Sequence, residues 1–159
     1  MNGADDKAAL KEGIRAFLRA HHVVSLAVLL DGAAHAACVM YALEDLSLYW
    51  TSNPGSRHSA AIERDPRVAA TVAPDTTDFR FIRGVQIAGR ARRLGEAAEA
   101  ARARELLRGR FAFLRDSDAM PAAMRAALDK SAFYRLDPET ITLIDNSKGF
   151  GNRESLRIA

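Results

Sequence analysis

Leu10, Ile14, Phe17 and Leu18 recur at helical spacing among polar residues, and Asp5 or Asp6 can cap the segment. Residues 7–20 are therefore predicted as one amphipathic helix, ended by His21-His22. The pattern then changes. Residues 23–30 are β-branched and aliphatic, Asp31-Gly32 is a strong hairpin signal, and residues 33–42 return as a second strand. Glu44-Asp45 turns the chain into a third strand over 46–51, so the three are expected to form an antiparallel meander.

Asn53-Pro54-Gly55 reads as a loop, and Ser56 stands where it would cap a short helix of about residues 57–64, ended by Asp65-Pro66. Residues 67–73 read as a strand and 74–78 as a polar turn. A long strand pattern covers 79–94, with Phe81, Val85 and Ile87 on one face and Gly84 and Gly89 marking bends or bulges. The longest predicted helix is 96–110, and Pro121 opens a further one over 122–130. Strands are predicted over 132–136 and 140–144, split by Asp137-Pro138. The tail holds Asp145-Asn146 and Gly149-Phe150-Gly151. No repeat, low-complexity tract or long linker divides the chain, so residues 1–159 are expected as one domain. Six or seven strands with short turns, and helices between some of them, predict a small helix-decorated β-barrel, α+β and mainly β.

Composition adds limits. Of 159 residues, 48% are hydrophobic and 27% charged, as in an ordinary soluble protein. No apolar run approaches the roughly 20 residues of a spanning helix, and the polar start, residues 1–11, has no signal-peptide core. No membrane partner is expected. Cys38 is the only cysteine, which forbids an intrachain disulfide and makes the cytoplasm the default location. No Cys/His spacing suggests a metal site.

The net charge is +3 and the isoelectric point about 9.3. The excess is local. Arg90, Arg92 and Arg93 are close together, and Arg102, Arg104, Arg108 and Arg110 share a predicted helix. Glu96, Glu99 and Glu105 are interleaved with them, which favours a solvated, salt-bridged face over a nucleic-acid surface. Polyanion binding is the competing reading, and it predicts strong salt dependence.

Candidate chemistry concentrates in one stretch, Leu48-Tyr49-Trp50-Thr51-Ser52-Asn53-Pro54-Gly55-Ser56-Arg57-His58, followed by Asp65-Pro66-Arg67-Val68. A strand ends in a hydroxyl-rich turn, and a helix begins with two basic side chains. Free backbone N–H groups, the helix dipole and those side chains together make a seat for a phosphate monoester. The competing reading has Arg57 and His58 flanking a helix start with no ligand, Trp50 as a core aromatic and Thr51 merely finishing a strand. His21, His22 and His35 have no sequence support as catalytic groups, and Cys38 reads as a small buried hydrophobe.

Trp50-Thr51, Ser56-Arg57-His58 and Pro66-Arg67-Val68 resemble the FMN-binding split-barrel family, whose best-known member is pyridoxamine 5′-phosphate oxidase. The tail Asp145-Asn146-Ser147-Lys148-Gly149-Phe150-Gly151 and the run Ile82-Arg83-Gly84-Val85-Gln86 look like those of a small bacterial subfamily. The resemblance implies a split β-barrel of about six or seven mostly antiparallel strands with flanking helices. It also implies a homodimer with FMN in the clefts between subunits. Val39, Met40 and Tyr41 would lie along the isoalloxazine through backbone contacts. Trp50 and Thr51 would contact the flavin, Arg57 and His58 would clasp its phosphate, and Gln86 would reach it from the long strand. His58 stands where the oxidase carries lysine. Haem-binding relatives make haem the alternative cofactor.

The oxidase's C-terminal arginine-leucine-histidine run has no counterpart in Glu154-Ser155-Leu156-Arg157-Ile158-Ala159. The implied function is FMN-dependent oxidoreduction of an unidentified small molecule, not typical pyridoxamine-phosphate oxidase activity. The alternative is a non-catalytic flavin- or haem-binding protein of the same fold.

Overall fold

A computed structural model describes residues 3–158. Among them, eight strands form one antiparallel sheet: β1 (Val23–Leu30), β2 (Ala33–Met40), β3 (Ala42–Glu44), β4 (Ser47–Ser52), β5 (Arg67–Val72), β6 (Arg83–Arg93), β7 (Ala132–Asp145) and β8 (Arg153–Arg157). Four helices flank it: α1 (Gly3–Ala20), α2 (Arg57–Arg64), α3 (Ala97–Arg110) and α4 (Ala122–Asp129). The strand order is β2-β1-β5-β6-β7-β4-β3, with β8 also on β7.

That order explains the shape. β2 and β3 stand at opposite ends of the sheet, yet only Tyr41 separates them in sequence. The sheet must therefore curl until its ends meet at Tyr41. The expected meander of three strands is corrected accordingly. β1 pairs β2 and β3 pairs β4, but the chain crosses from one end of the sheet to the other at Tyr41. The turns agree better with expectation. Asp31 (φ 52°) and Gly32 (φ 78°) are both left-handed, the backbone that a two-residue hairpin matching strand twist requires.

Leu26, Leu48, Trp50, Tyr134, Leu136 and Ile141 fill the curled sheet, with Ile14, Phe17 and Leu18 of α1 and Ala61 and Ile62 of α2 packed on them. The first helix is the longest, at 18 residues, four more than α3.

Two strand predictions change. Residues 132–145 form one continuous strand, although Asp137-Pro138 still matters. The Ala132–Leu136 half of β7 pairs with β4, and the half from Thr140 to Ile144 pairs with β8. The register against β6 shifts between Ala88 and Gly89, opposite Pro138. Proline has no N–H for the ladder, and the bulge absorbs the gap. The long strand predicted over 79–94 begins at Arg83. Phe79–Phe81 is a single 3₁₀ turn capped by Asp78, and Phe81 is exposed instead of sharing the inward face of Val85 and Ile87. β8, in the tail, was not predicted.

α3 covers the outer face of the β3–β4–β7 end, burying Tyr49, Leu94, Leu107 and Phe111. Among the described residues no helix covers the outer face of the other half. There Ala36, Ala27, Ala69 and Ala88 stand in one row across β2, β1, β5 and β6. A second row runs Cys38, Ser25, Thr71, Gln86, Thr142 and Ser155. All but Thr142, which is half-buried, are exposed. Cys38 is thus on the surface, correcting the expectation of a buried residue.

Candidate functional site

β4 ends at Ser52, and Asn53-Pro54-Gly55 turns the chain into α2. The Asn53 side chain accepts from the Gly55 N–H at 2.8 Å, and its carbonyl accepts from the Ser56 N–H at 3.0 Å. Ser56 has the extended backbone of an N-cap (φ −68°, ψ 153°), and its hydroxyl accepts from the Ser59 N–H. The same hydroxyl donates to the buried Ser59 Oγ at 2.8 Å. The sequence signal for this cap and for α2 over residues 57–64 is matched residue for residue.

His58 follows the cap and folds back over it. Its Nε2 lies 2.8 Å from Ser52 Oγ and 3.3 Å from Ser56 Oγ. Burial, and secondarily the charge of His35 on β2, lowers its pKa below the usual imidazole value. His58 is therefore a neutral hydrogen-bonding group at pH 7. Arg57, by contrast, is exposed and meets no carboxylate or carbonyl among the described residues. The start of α2 thus brings together two hydroxyls and a neutral imidazole, with the exposed Arg57 and the first N–H groups of the helix adjacent in sequence. This donor set suits a phosphate monoester.

The other sequence-predicted site residues fall as follows. Thr51 sits beside this cluster, its hydroxyl donating to the Ala132 carbonyl at 3.1 Å. The Trp50 ring is fully buried, stacked on Tyr134 with centroids 5.8 Å apart, and the indole N–H has no partner. Val39 and Tyr41 point inward and are buried, whereas Met40 is exposed on the outer face. Gln86 lies on that same outer face and accepts from Arg153 at 3.2 Å. Within one chain Gln86 stands apart from the Ser52–His58 cluster. Gln86 pairs with Thr142 and Ser52 with Ala132. Those two β7 residues are ten positions apart, about 33 Å of extended strand.

Sequence reasoning named Ser56 as a cap but did not place Ser52 beside it; that pairing depends on His58 bending back over the turn. It also left a cleft unseen. Thr51 opens onto a space of about 510 Å³ between α3, α4 and β7, lined by Arg104, Arg108, Arg115 and Arg125. The helical arginines divide in their partners. Arg102 pairs with Glu105, as the interleaved glutamates predict, and also with Glu44 of β3, while Glu99 of the same helix takes Arg92 of β6. Among the described residues no group of three or more His, Cys, Asp or Glu side chains is placed to hold a metal ion, and no helix is long and apolar enough to cross a membrane.

Residues 11–144, most of the curled sheet with α1 to α4, match the protein family described as pyridoxamine 5′-phosphate oxidase. The chain belongs to this family. Its curled antiparallel sheet with flanking helices is the family's split β-barrel. The chain is 28% identical over 156 residues to the UPF0306 protein of Yersinia pseudotuberculosis serotype O:3, covering 96% of this chain and 94% of that one. It is similar in fold to a heme binding protein from Mycobacterium smegmatis, with a TM-score of 0.71 and 23% identity. That match covers 92% of this chain but only 57% of the mycobacterial one. A FAD-binding protein from Mesorhizobium loti matches with a TM-score of 0.63 and 24% identity, over 81% of this chain and 89% of that one. One fold therefore serves both a flavin-binding and a haem-binding protein.

Proposed function

We propose that this chain is a homodimeric, cytoplasmic FMN-binding oxidoreductase acting on a small molecule other than the usual substrate of pyridoxamine-phosphate oxidase. The observation that carries the reading is Arg57. It is exposed, has no hydrogen-bond or salt-bridge partner among the described residues, and opens α2 directly after the Ser56 cap, between the residues that join Ser52, Ser56 and His58. An arginine left unpaired amid donors is matched to an anion from outside, and its planar fork suits a phosphate.

In this reading Arg57 and the α2 N-terminus hold the flavin phosphate, with Ser52 donating to its oxygens. The α2 cap fixes the position of these donors. Thr51 lines the approach. Trp50, whose ring is committed to the core, offers only its backbone, and Val39, Met40 and Tyr41 likewise present main-chain groups. A bound flavin supplies hydride or electron transfer, and the protein supplies anchoring and exclusion of water. The Glu154–Ala159 tail carries no histidine to hold a pyridoxine-phosphate substrate.

The dimer reading is supported by the uncovered sheet face. Its two rows of mostly short side chains make an exposed surface of the kind that a second copy covers isologously. Gln86 stands in one of those rows, so a partner laid there would carry its own Gln86 toward the first chain's cofactor.

The test is titration with FMN, followed by quenching of flavin fluorescence. Micromolar or tighter binding is expected, weakened about tenfold or more in Arg57→Ala, as loss of a charge-assisted hydrogen bond implies. Absence of FMN binding together with a Soret band on adding haemin would replace this reading with a haem-binding one, which the mycobacterial relative favours.

A further inference from the structure

Arg110 is the last residue of α3 and is half-buried. Among the described residues its partners are carbonyls and rings, not acids. Its Nη2 donates to the Arg19 carbonyl at 3.1 Å and to the Leu18 and His21 carbonyls beside it. The guanidinium carbon stands 5.4 Å from the centre of the Tyr41 ring and 6.0 Å from that of Phe111. Nε is buried and has no partner. Keeping a guanidinium there, with one N–H unpaired, costs free energy that its other contacts must offset.

What those contacts fix is Tyr41. Its N–H donates to the His22 carbonyl at 3.0 Å, its hydroxyl donates to the Leu18 carbonyl at 2.6 Å, and Arg110 covers its ring. Backbone, hydroxyl and ring face are thus held by residues 18–22 and by the arginine that binds the same segment. Tyr41 is also the single residue between β2 and β3, the two ends of the curled sheet.

The proposed flavin site straddles that seam. Its ring strand, residues 39–41, ends β2 on one side. Its phosphate seat, Ser52 to Arg57, follows β4 on the other, and β3 joins the two through the pairing of Ala42 with Tyr49. A cofactor that spans both sides needs a fixed distance between them. The seat has its own anchor, because α2 is packed into the core through Ala61 and Ile62. The ring strand ends at Tyr41. We infer that Arg110 is a positioning residue for the flavin: by clasping the end of α1 to Tyr41, it sets the Val39–Tyr41 main chain against the ring. It acts through Tyr41 and not by a contact of its own with the cofactor. The part concerning the cofactor rests on the flavin reading, whereas the clasp does not.

The experiment uses the full chain and two ligands that differ only in the phosphate, FMN and riboflavin. In Arg110→Gln both are expected to lose about tenfold in affinity, by the same factor, because the ring is what the strand meets. Arg57→Ala should weaken FMN alone. Arg110→Lys keeps the charge and donors without the planar fork, so its loss should be smaller, and it carries the comparison if the glutamine variant does not fold. Hydrogen exchange of the ligand-free chain gives a readout that a general loss of stability would not. In the variant the segment 38–44 should exchange about tenfold faster, while β6 keeps its wild-type rate. Unchanged flavin affinity in the folded variants overturns the proposal. So does a loss confined to FMN, which would place Arg110 at the phosphate. Faster exchange in both segments alike also overturns it, because the arginine then only stabilises the fold. If the wild type binds neither ligand, the flavin reading fails and exchange alone judges the clasp: local acceleration keeps it, and uniform or absent acceleration removes it.

Discussion

The Tyr41 hydroxyl donates to the Leu18 carbonyl across 2.6 Å, from the closure point of the sheet to the end of α1. α1 ends without a glycine cap, so its last carbonyls need other donors. Arg110 of α3 supplies several, donating to the carbonyls of Leu18, Arg19 and His21. His21 Nδ1 lies 2.7 Å from the Phe17 carbonyl. One tyrosine at the barrel seam and one arginine from a distant helix thus tie α1 to the fold. Burial pushes the Tyr41 phenol up to about 12, so this donor keeps its proton throughout the neutral range.

Tyr41→Phe removes the short bond and leaves Leu18 with only the longer contact from Arg110. A loss of about 1–2 kcal/mol is expected. For a chain of this size that lowers the melting temperature by about 2–8 °C. An unchanged melt would show that Arg110 alone satisfies the helix end.

Gly89 marks the bulge opposite Pro138. A Cβ there would overlap the Asp137 carbonyl oxygen and stand 2.9 Å from Pro138 Cα, both backbone atoms without a flexible escape. Gly89→Ala is therefore expected to cost about 1–3 kcal/mol. Gly95→Ala, where a Cβ meets nothing within 4 Å, is the matched control. Equal urea midpoints for the two variants would mean that the bulge relaxes freely.

These two sites show how far the sequence could be read. The helix and strand bounds of α2 and β1, the left-handed turn at Asp31-Gly32 and the bend at Gly89 follow from local chemistry, and local chemistry is written in neighbouring residues. The sheet order is not local. Nothing in residues 33–44 announces that the chain crosses from one end of the sheet to the other at Tyr41, because residues 33–42 read as one unbroken strand and Glu44-Asp45 as the turn that follows it. β8 was missed because only Leu156 is buried in Arg153–Arg157, too little for an alternating pattern. The Ser52–His58 contact and the arginine-lined cleft come from tertiary folding of polar residues, which carry no periodicity. Helix 96–110 was read as a salt-bridged face; that holds for Arg102, but Arg104 and Arg108 turn toward the cleft.

His58 gives a prediction in pH. Burial and the nearby His35 charge lower its folded-state pKa, whereas the unfolded side chain titrates near 6.5. Between those two values the unfolded chain binds a proton that the folded chain does not. Stability from this group is thus fully present above about pH 6.5 and declines as pH falls toward the folded value, levelling below it. His58→Gln should flatten that part of the stability profile while keeping a hydrogen-bonding side chain near Ser52. A profile of the same slope would assign the effect to other groups. Phosphate bound beside His58 and Arg57 would raise the imidazole's pKa. FMN binding should then take up protons below neutrality and tighten as pH falls, which calorimetry in two buffers of different ionisation enthalpy can read.

The separation of Gln86 from the Ser52–His58 cluster leads to a prediction about two chains. If each cofactor is held by Arg57 of one subunit and Gln86 of the other, then Arg57→Ala and Gln86→Ala homodimers both carry two damaged sites. A mixed dimer carries one site with both lesions and one with neither. After unfolding and refolding an equal mixture, half of the dimers are hybrids by random pairing, so about a quarter of all sites should regain wild-type FMN affinity. If Gln86 instead served its own chain's site, every site in every dimer would carry one lesion and no recovery would follow. Refolding each variant alone gives the baseline, and differently tagged subunits confirm that hybrids form. Recovery toward the expected fraction would establish both the shared site and the uncovered alanine-rich face as the surface that brings the two chains together.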